Sequence, residues 1–134
     1  MGPAKFGNGS YLDVDQHPHI GLSTLTYLFE GEIHHKDSLG TDKVIYPGDV
    51  GFMTSGKSVT HAERTPEENR NQGEFTMHGY QIWVALPHSL EDMDPQFNFY
   101  AKDTLPTKTQ DGLQIKTVAG NAFGLQSPLQ GFST

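Results

Sequence analysis

The chain has 134 residues, enough for one hydrophobic core and short for two. Nine basic residues stand against 16 acidic ones, a net charge of −7 with no basic cluster to offset it, which argues against direct binding to nucleic-acid phosphates. There is no cysteine, so disulfides, thiolate zinc sites and cysteine nucleophiles are excluded, and any metal must be held by nitrogen and oxygen.

Residues 1–10 are small and polar and lack the apolar centre of a signal peptide, and no later apolar run reaches the ~18 residues of a membrane helix. A cytoplasmic protein is the expectation. Residues 24–29, rich in β-branched and aromatic types, predict a strand, and Glu30-Gly31 a turn into a strand at 32–37. A turn at 38–41 leads to a short strand at 43–46. Pro47-Gly48-Asp49 breaks that run, and residues 50–53 resume it. Residues 58–64 predict the next strand and 65–74 an exposed polar loop. The strand at 77–86 places Tyr80, Ile82, Val84 and Leu86 on one face and Gln81 and Trp83 on the other. After Pro87 come a helical turn at 89–94, a strand at 97–100, and a last strand at 112–118 before a Gly-, Gln- and Ser-containing tail. Many short strands separated by Gly and Pro turns predict an all-β, antiparallel barrel or sandwich.

Two short motifs carry chemistry. His17-Pro18-His19 and His61-Ala62-Glu63 both have i, i+2 spacing, which in extended chain puts both side chains of each pair on one face. Two strands presenting such pairs to each other bring His17, His19, His61 and Glu63 around one divalent metal. Three imidazoles and a carboxylate suit iron, nickel, copper or zinc, and they leave coordination positions open for a substrate or oxygen. His35 alternates with Ile33 and Asp37 and is expected to support the site rather than ligate. His34 faces the opposite way, toward solvent. His78 shares a face with Tyr80 and Ile82, where it either orients a ligand or fills the core, and His88 is expected at the surface. Tyr27, Phe29, Phe52, Met53 and Trp83 are core or pocket residues.

The chain resembles the pirin family of the cupin superfamily. The matching stretches are His17-Pro18-His19-Ile20-Gly21, residues 24–27, Phe29-Glu30-Gly31-Glu32, His35-Lys36-Asp37-Ser38-Leu39-Gly40, Pro47-Gly48-Asp49-Val50, Met53-Thr54-Ser55-Gly56, His61-Ala62-Glu63 and residues 78–84. The resemblance implies a cupin-type antiparallel jelly-roll β-barrel, a single barrel here. It implies one mononuclear divalent metal held by His17, His19, His61 and Glu63: Fe(II) first, with Ni, Mn or Zn as alternatives. It also implies quercetin 2,3-dioxygenase-type chemistry on a small aromatic molecule such as a flavonol, with Glu63 as the catalytic carboxylate. The alternative is a non-enzymatic, redox-sensing regulatory module that binds a protein partner.

Ile20 stands where pirins usually carry a basic residue, making the site mouth less positive. Ser23 replaces a glutamate, leaving Glu63 as the acidic ligand candidate. The resemblance makes residues 1–134 one cupin domain, similar to a pirin's N-terminal half, with residues 101–134 resembling the link to a second cupin. Open strand edges, at residues 112–118 above all, then predict a homodimer or higher oligomer.

Overall fold

Strand-forming runs cut by turn residues give a chain of short strands, and the computed structural model, which describes residues 1–132, shows them in this order. They are β1 (Ala4–Phe6), β2 (Asp13–His19), β3 (Leu22–Glu30), β4 (Ile33–Asp37), β5 (Asp42–Ile45), β6 (Val50–Thr54), β7 (Val59–Arg64), β8 (Phe75–Ala85) and β9 (Gln96–Tyr100). Two small hairpins follow, β10 (Thr107–Gln110) with β11 (Leu113–Lys116), and β12 (Asn121–Ala122) with β13 (Leu125–Gln126). The helical turn expected at 89–94 is a single 3-10 turn at His88–Leu90, and the expected loop at 65–74 holds another at Glu67–Asn69. No helix among the described residues is long and apolar enough to cross a membrane.

The long strands form two antiparallel sheets, one ordered β1-β8-β3-β6-β9 and the other β2-β7-β4-β5. Gln81 of β8 and Thr26 of β3 reach Glu63 of β7, so the sheets face each other. The all-β antiparallel fold is as expected. The expected single closed barrel is met only as two facing sheets, since no ladder joins them among the described residues.

One end of the inter-sheet space is apolar. Leu28, Ile33, Ile45 and Met77 are buried there, with Phe6, Leu12 and Phe75 packed against them. Close approach demands glycine at two points. Gly31 turns β3 into β4 at φ +84°, where a Cβ would sit 2.2 Å from Met77 Sδ. A Cβ on Gly51 would sit 2.5 Å from Ile45 Cδ1, so its absence lets the two sheets close. The other end of the space is lined by histidines.

A second apolar cluster, Leu25, Val50, Phe52 and Leu105, lies on the outer face of the five-stranded sheet. Val118 and Leu129 from the C-terminal tail pack against it. The strand expected at 112–118 forms as β11 but pairs with β10, and the tail folds back over the domain's own sheet. Residues 133 and 134 of the tail lie outside the described residues. Beside the covered area, Phe29, Tyr80, Ile82 and Val84 stay exposed on the same outer face.

Candidate metal centre

The four-stranded sheet supplies every histidine of the centre. β2 is its edge strand, where Pro18 is tolerated because no neighbour needs the missing N–H. In the β2–β7 ladder His17 lies directly opposite His61, and His19 opposite Val59. Directly paired residues share a face, so the two motifs meet on the inner side. The register then shifts between Val14 and His17, with Asp15 and Gln16 together opposing Ala62. Arg64 pins this bulge from outside, its Nη2 donating to Asp15 Oδ1 at 2.7 Å.

The bulge also orients the His17 ring. Its turned carbonyl, Asp15 O, lies 2.8 Å from His17 Nδ1. A carbonyl only accepts, so Nδ1 carries the proton and Nε2 keeps a lone pair. His19 Nε2 and His61 Nε2 are 3.1 Å apart, and one ring nitrogen from each of His17, His19 and His61 lies within 4.8 Å of the others. With metal–nitrogen bonds of about 2.1 Å, a 3.1 Å separation is that of two neighbouring ligands on one ion. The electrostatics agree. Burial, then the rings of His35, His17 and His19, pull His61 down to about 3. Burial and His17 lower His19 as well, against an opposing pull from Glu63. These rings are therefore neutral lone-pair donors at neutral pH, the form a metal takes.

Glu63 is buried on the same face of β7 as His61. Its two carboxylate oxygens each accept from Gln81 Nε2 at 2.8 Å, and Oε1 also accepts from Thr26 Oγ1 at 3.4 Å. Gln81 Oε1 in turn accepts from Trp83 Nε1 at 3.3 Å, and Trp83 meets the His19 ring edge-on at 5.1 Å. The carboxylate falls into a second close triad, with His35 and His61, rather than among the ring nitrogens of His17 and His19. So the structure gathers the three expected histidines, and it joins Glu63 to them through the shared His61.

Several side chains lie elsewhere than expected. His78 is on the outer face against Phe29, away from the centre, and cannot orient a ligand there. His34 is half-buried and paired with Asp42 at 2.5 Å, while His88 is at the surface beside Glu91. Of the aromatics expected as core or pocket residues, Trp83 touches the centre, whereas Phe52 belongs to the outer apolar cluster and Phe29 is exposed. Ser23 is bonded to Thr54 at 3.0 Å and lines an outer-face pocket with Leu25 and Phe52, so a longer acid here would not point into the histidine cluster. Ile20 is exposed. Gln81 and Thr26, which grip Glu63, carried no motif. Alternation along the 77–86 strand had separated Gln81 and Trp83 from the apolar face, which was the one available signal.

The family model described as Pirin matches residues 1–84. A pirin-like protein from Caulobacter vibrioides is 47% identical over 136 residues, covering 99% of this chain and 46% of the relative. The crystal structure of a quercetin 2,3-dioxygenase from Acinetobacter baumannii superposes with a TM-score of 0.87 at 41% identity, covering 97% of this chain and 41% of that one. A bacterial pirin from Escherichia coli, solved in complex with nickel(II), superposes with a TM-score of 0.58 at 26% identity, covering 71% of this chain and 37% of that one. This chain thus spans about half the length of the curated relatives it matches.

Proposed function

This chain belongs to the pirin family, and from that premise we propose that it is a metal-binding cupin of the quercetin 2,3-dioxygenase type. One divalent ion is held by His17, His19, His61 and Glu63, with iron the first choice and nickel, manganese or zinc as substitutes set by availability. The single observation carrying this reading is the convergence of three imidazoles, with His19 Nε2 and His61 Nε2 3.1 Å apart. Bound there, the metal supplies Lewis-acid activation of a coordinated hydroxyl and a route to oxygen.

The chain's own residues do the rest. Asp15 O aims His17, and Gln81 and Thr26 hold the Glu63 carboxylate in place. Glu63 takes the hydroxyl proton of a flavonol-like substrate, a role that needs an acceptor fixed within hydrogen-bond reach. Trp83 presents a large exposed ring at the mouth, a surface for a planar aromatic molecule. We read the whole chain as one cupin domain, with residues 101–134 corresponding to the segment that links two cupins in longer relatives. The expected experiment is oxygen uptake with quercetin by the iron-loaded protein. Turnover lost in His61→Ala supports the enzyme, and metal binding without any turnover rejects the dioxygenase part.

A second reading, a metal-dependent regulatory module, draws on the outer apolar face. Phe29, Tyr80, Ile82 and Val84 are each more than two-fifths exposed and lie together on β3 and β8. Such a patch marks a contact surface. Self-association as a two-fold homodimer is the simplest use of it, because one patch then covers its own copy. Ile82→Lys, which plants a charge in the patch, should convert the dimer to monomer in sedimentation velocity. A wild-type protein that stays monomeric at high concentration would reject this assembly.

A further inference from the structure

The histidine cluster does not end at the three converging rings. β4 lies beside β7, with His35 opposite Glu63 and Asp37 opposite His61. Asp37 is fixed from below. Its Oδ1 accepts from the backbone N–H groups of Leu39 at 2.9 Å and Thr41 at 3.0 Å. Its Oδ2 faces His35 Nε2 at 2.9 Å, and the side chains of both residues are almost wholly buried. Burial alone would raise the Asp37 carboxyl, but hydrogen bonds from His35, Thr41 and Leu39 outweigh it and hold the group below its ordinary value. Phe97 stacks on the His35 ring at 4.5 Å and 25°, which fixes the ring plane. On its far side, His35 Nδ1 stands 3.5 Å from His61 Nδ1. His61 then points its other nitrogen, Nε2, at His19.

With His35 neutral, the order of protons along this line follows from the Asp37 carboxylate. A carboxylate can only accept, so His35 must donate through Nε2. A neutral His35 then offers a lone pair at Nδ1, and His61 meets it with Nδ1–H. That leaves His61 Nε2 without a proton. The opposite tautomer would set two lone pairs against each other at the His35–His61 contact and aim a proton into the cluster. The 3.5 Å contact is long and contributes little binding by itself. Its effect is to select between two tautomers of nearly equal intrinsic energy.

Resting on the metal-centre reading above, we propose that Asp37 and His35 are positioning residues: a carboxylate–imidazole relay that fixes the tautomer of His61 and keeps its Nε2 free to ligate. Neither group touches the ion. The relay acts two residues deep behind the ligand, and orienting partners of this kind typically set 10–100-fold in metal affinity.

Asp37→Asn tests it sharply. Asparagine keeps the Oδ1 acceptor for Leu39 and Thr41, so the turn survives, but it puts an NH2 donor against His35 Nε2. His35 must then carry its proton on Nδ1 and donate to His61 Nδ1, which drives the His61 proton onto Nε2. Long-range 15N–1H spectra of the metal-free protein should show His61 as the Nδ1–H tautomer in wild type and shifted toward Nε2–H in Asp37→Asn. Nickel(II) affinity, by competition with a chelator, should fall about 10–100-fold, while the His17 tautomer, set by Asp15 O, does not change. His35→Phe keeps the stack on Phe97 and leaves Asp37 native. It should give a mixed His61 tautomer and a loss of similar size, and it serves if the asparagine variant fails to fold. An unchanged His61 tautomer and affinity in Asp37→Asn overturns the relay. So does complete loss of nickel in His35→Phe with Asp37→Asn unaffected, which would make His35 a ligand. Should wild type bind no nickel at all, the metal-centre reading fails, and the tautomers of the metal-free protein still decide the relay.

Discussion

His61→Ala is expected to abolish metal binding. His61 is the one residue common to both close triads, His17 with His19 and His35 with Glu63. It is also the most buried histidine of the cluster, at 1% exposure. Loss of a partner behind a ligand typically costs 10–100-fold. Loss of this ligand itself should exceed about 100-fold and leave no metal after desalting. His17→Ala should follow the same direction with a smaller effect, because His17 sits half-buried at the edge strand. Elemental analysis of the two purified variants beside wild type is the check. Full occupancy in both would mean that the ion sits elsewhere.

Acid should release the metal and weaken the metal-free fold in the same pH range. His61 is held at about 3 against an ordinary value of 6.5, and His19 is lowered too. A folded-state value below the unfolded one means that the unfolded chain takes up protons first as pH falls. The stability associated with neutral, buried His61 is therefore complete above about 6.5 and is lost progressively on the way toward 3. Metal binding requires the same unprotonated rings, so proton competition removes the metal's contribution over the same descent. Thermal midpoints of loaded and metal-free protein, measured from neutral pH to about pH 4, should both fall and should converge. In His61→Ala the metal-free midpoint should depend less on pH, since the group with the largest shift is gone. A gap between loaded and metal-free protein that stayed constant to about pH 4 would contradict ligation by these histidines.

The all-β class and the common facing within each histidine motif were legible in the sequence because both depend on local chain geometry. Period-two alternation, with Gly31 and Pro47-Gly48 as punctuation, marks strands and turns without reference to anything distant. The same alternation puts His17 with His19, and His61 with Glu63, on common faces before any partner is known. Even the role of Gln81 was half visible, since it fell on the opposite face from Tyr80, Ile82 and Val84.

What the sequence could not state is which strands lie beside or across from one another. Pairing register put His17 opposite His61, and the bulge at Asp15 and Gln16 turned a carbonyl onto His17. Neither follows from local propensity, because a one-residue slip satisfies the same strand pattern while reversing every face. The packing of one sheet on the other gave Glu63 its partners Gln81 and Thr26, 18 and 37 positions away. Adjacency of β4 and β7 joined Asp37 and His35 to His61. It also decided that the C-terminal tail, expected to leave strands open, would cover Leu25, Val50 and Phe52 instead. Local sequence determines which way each side chain faces along its strand. Only long-range packing, driven by burial across the whole domain, selects what that side chain meets.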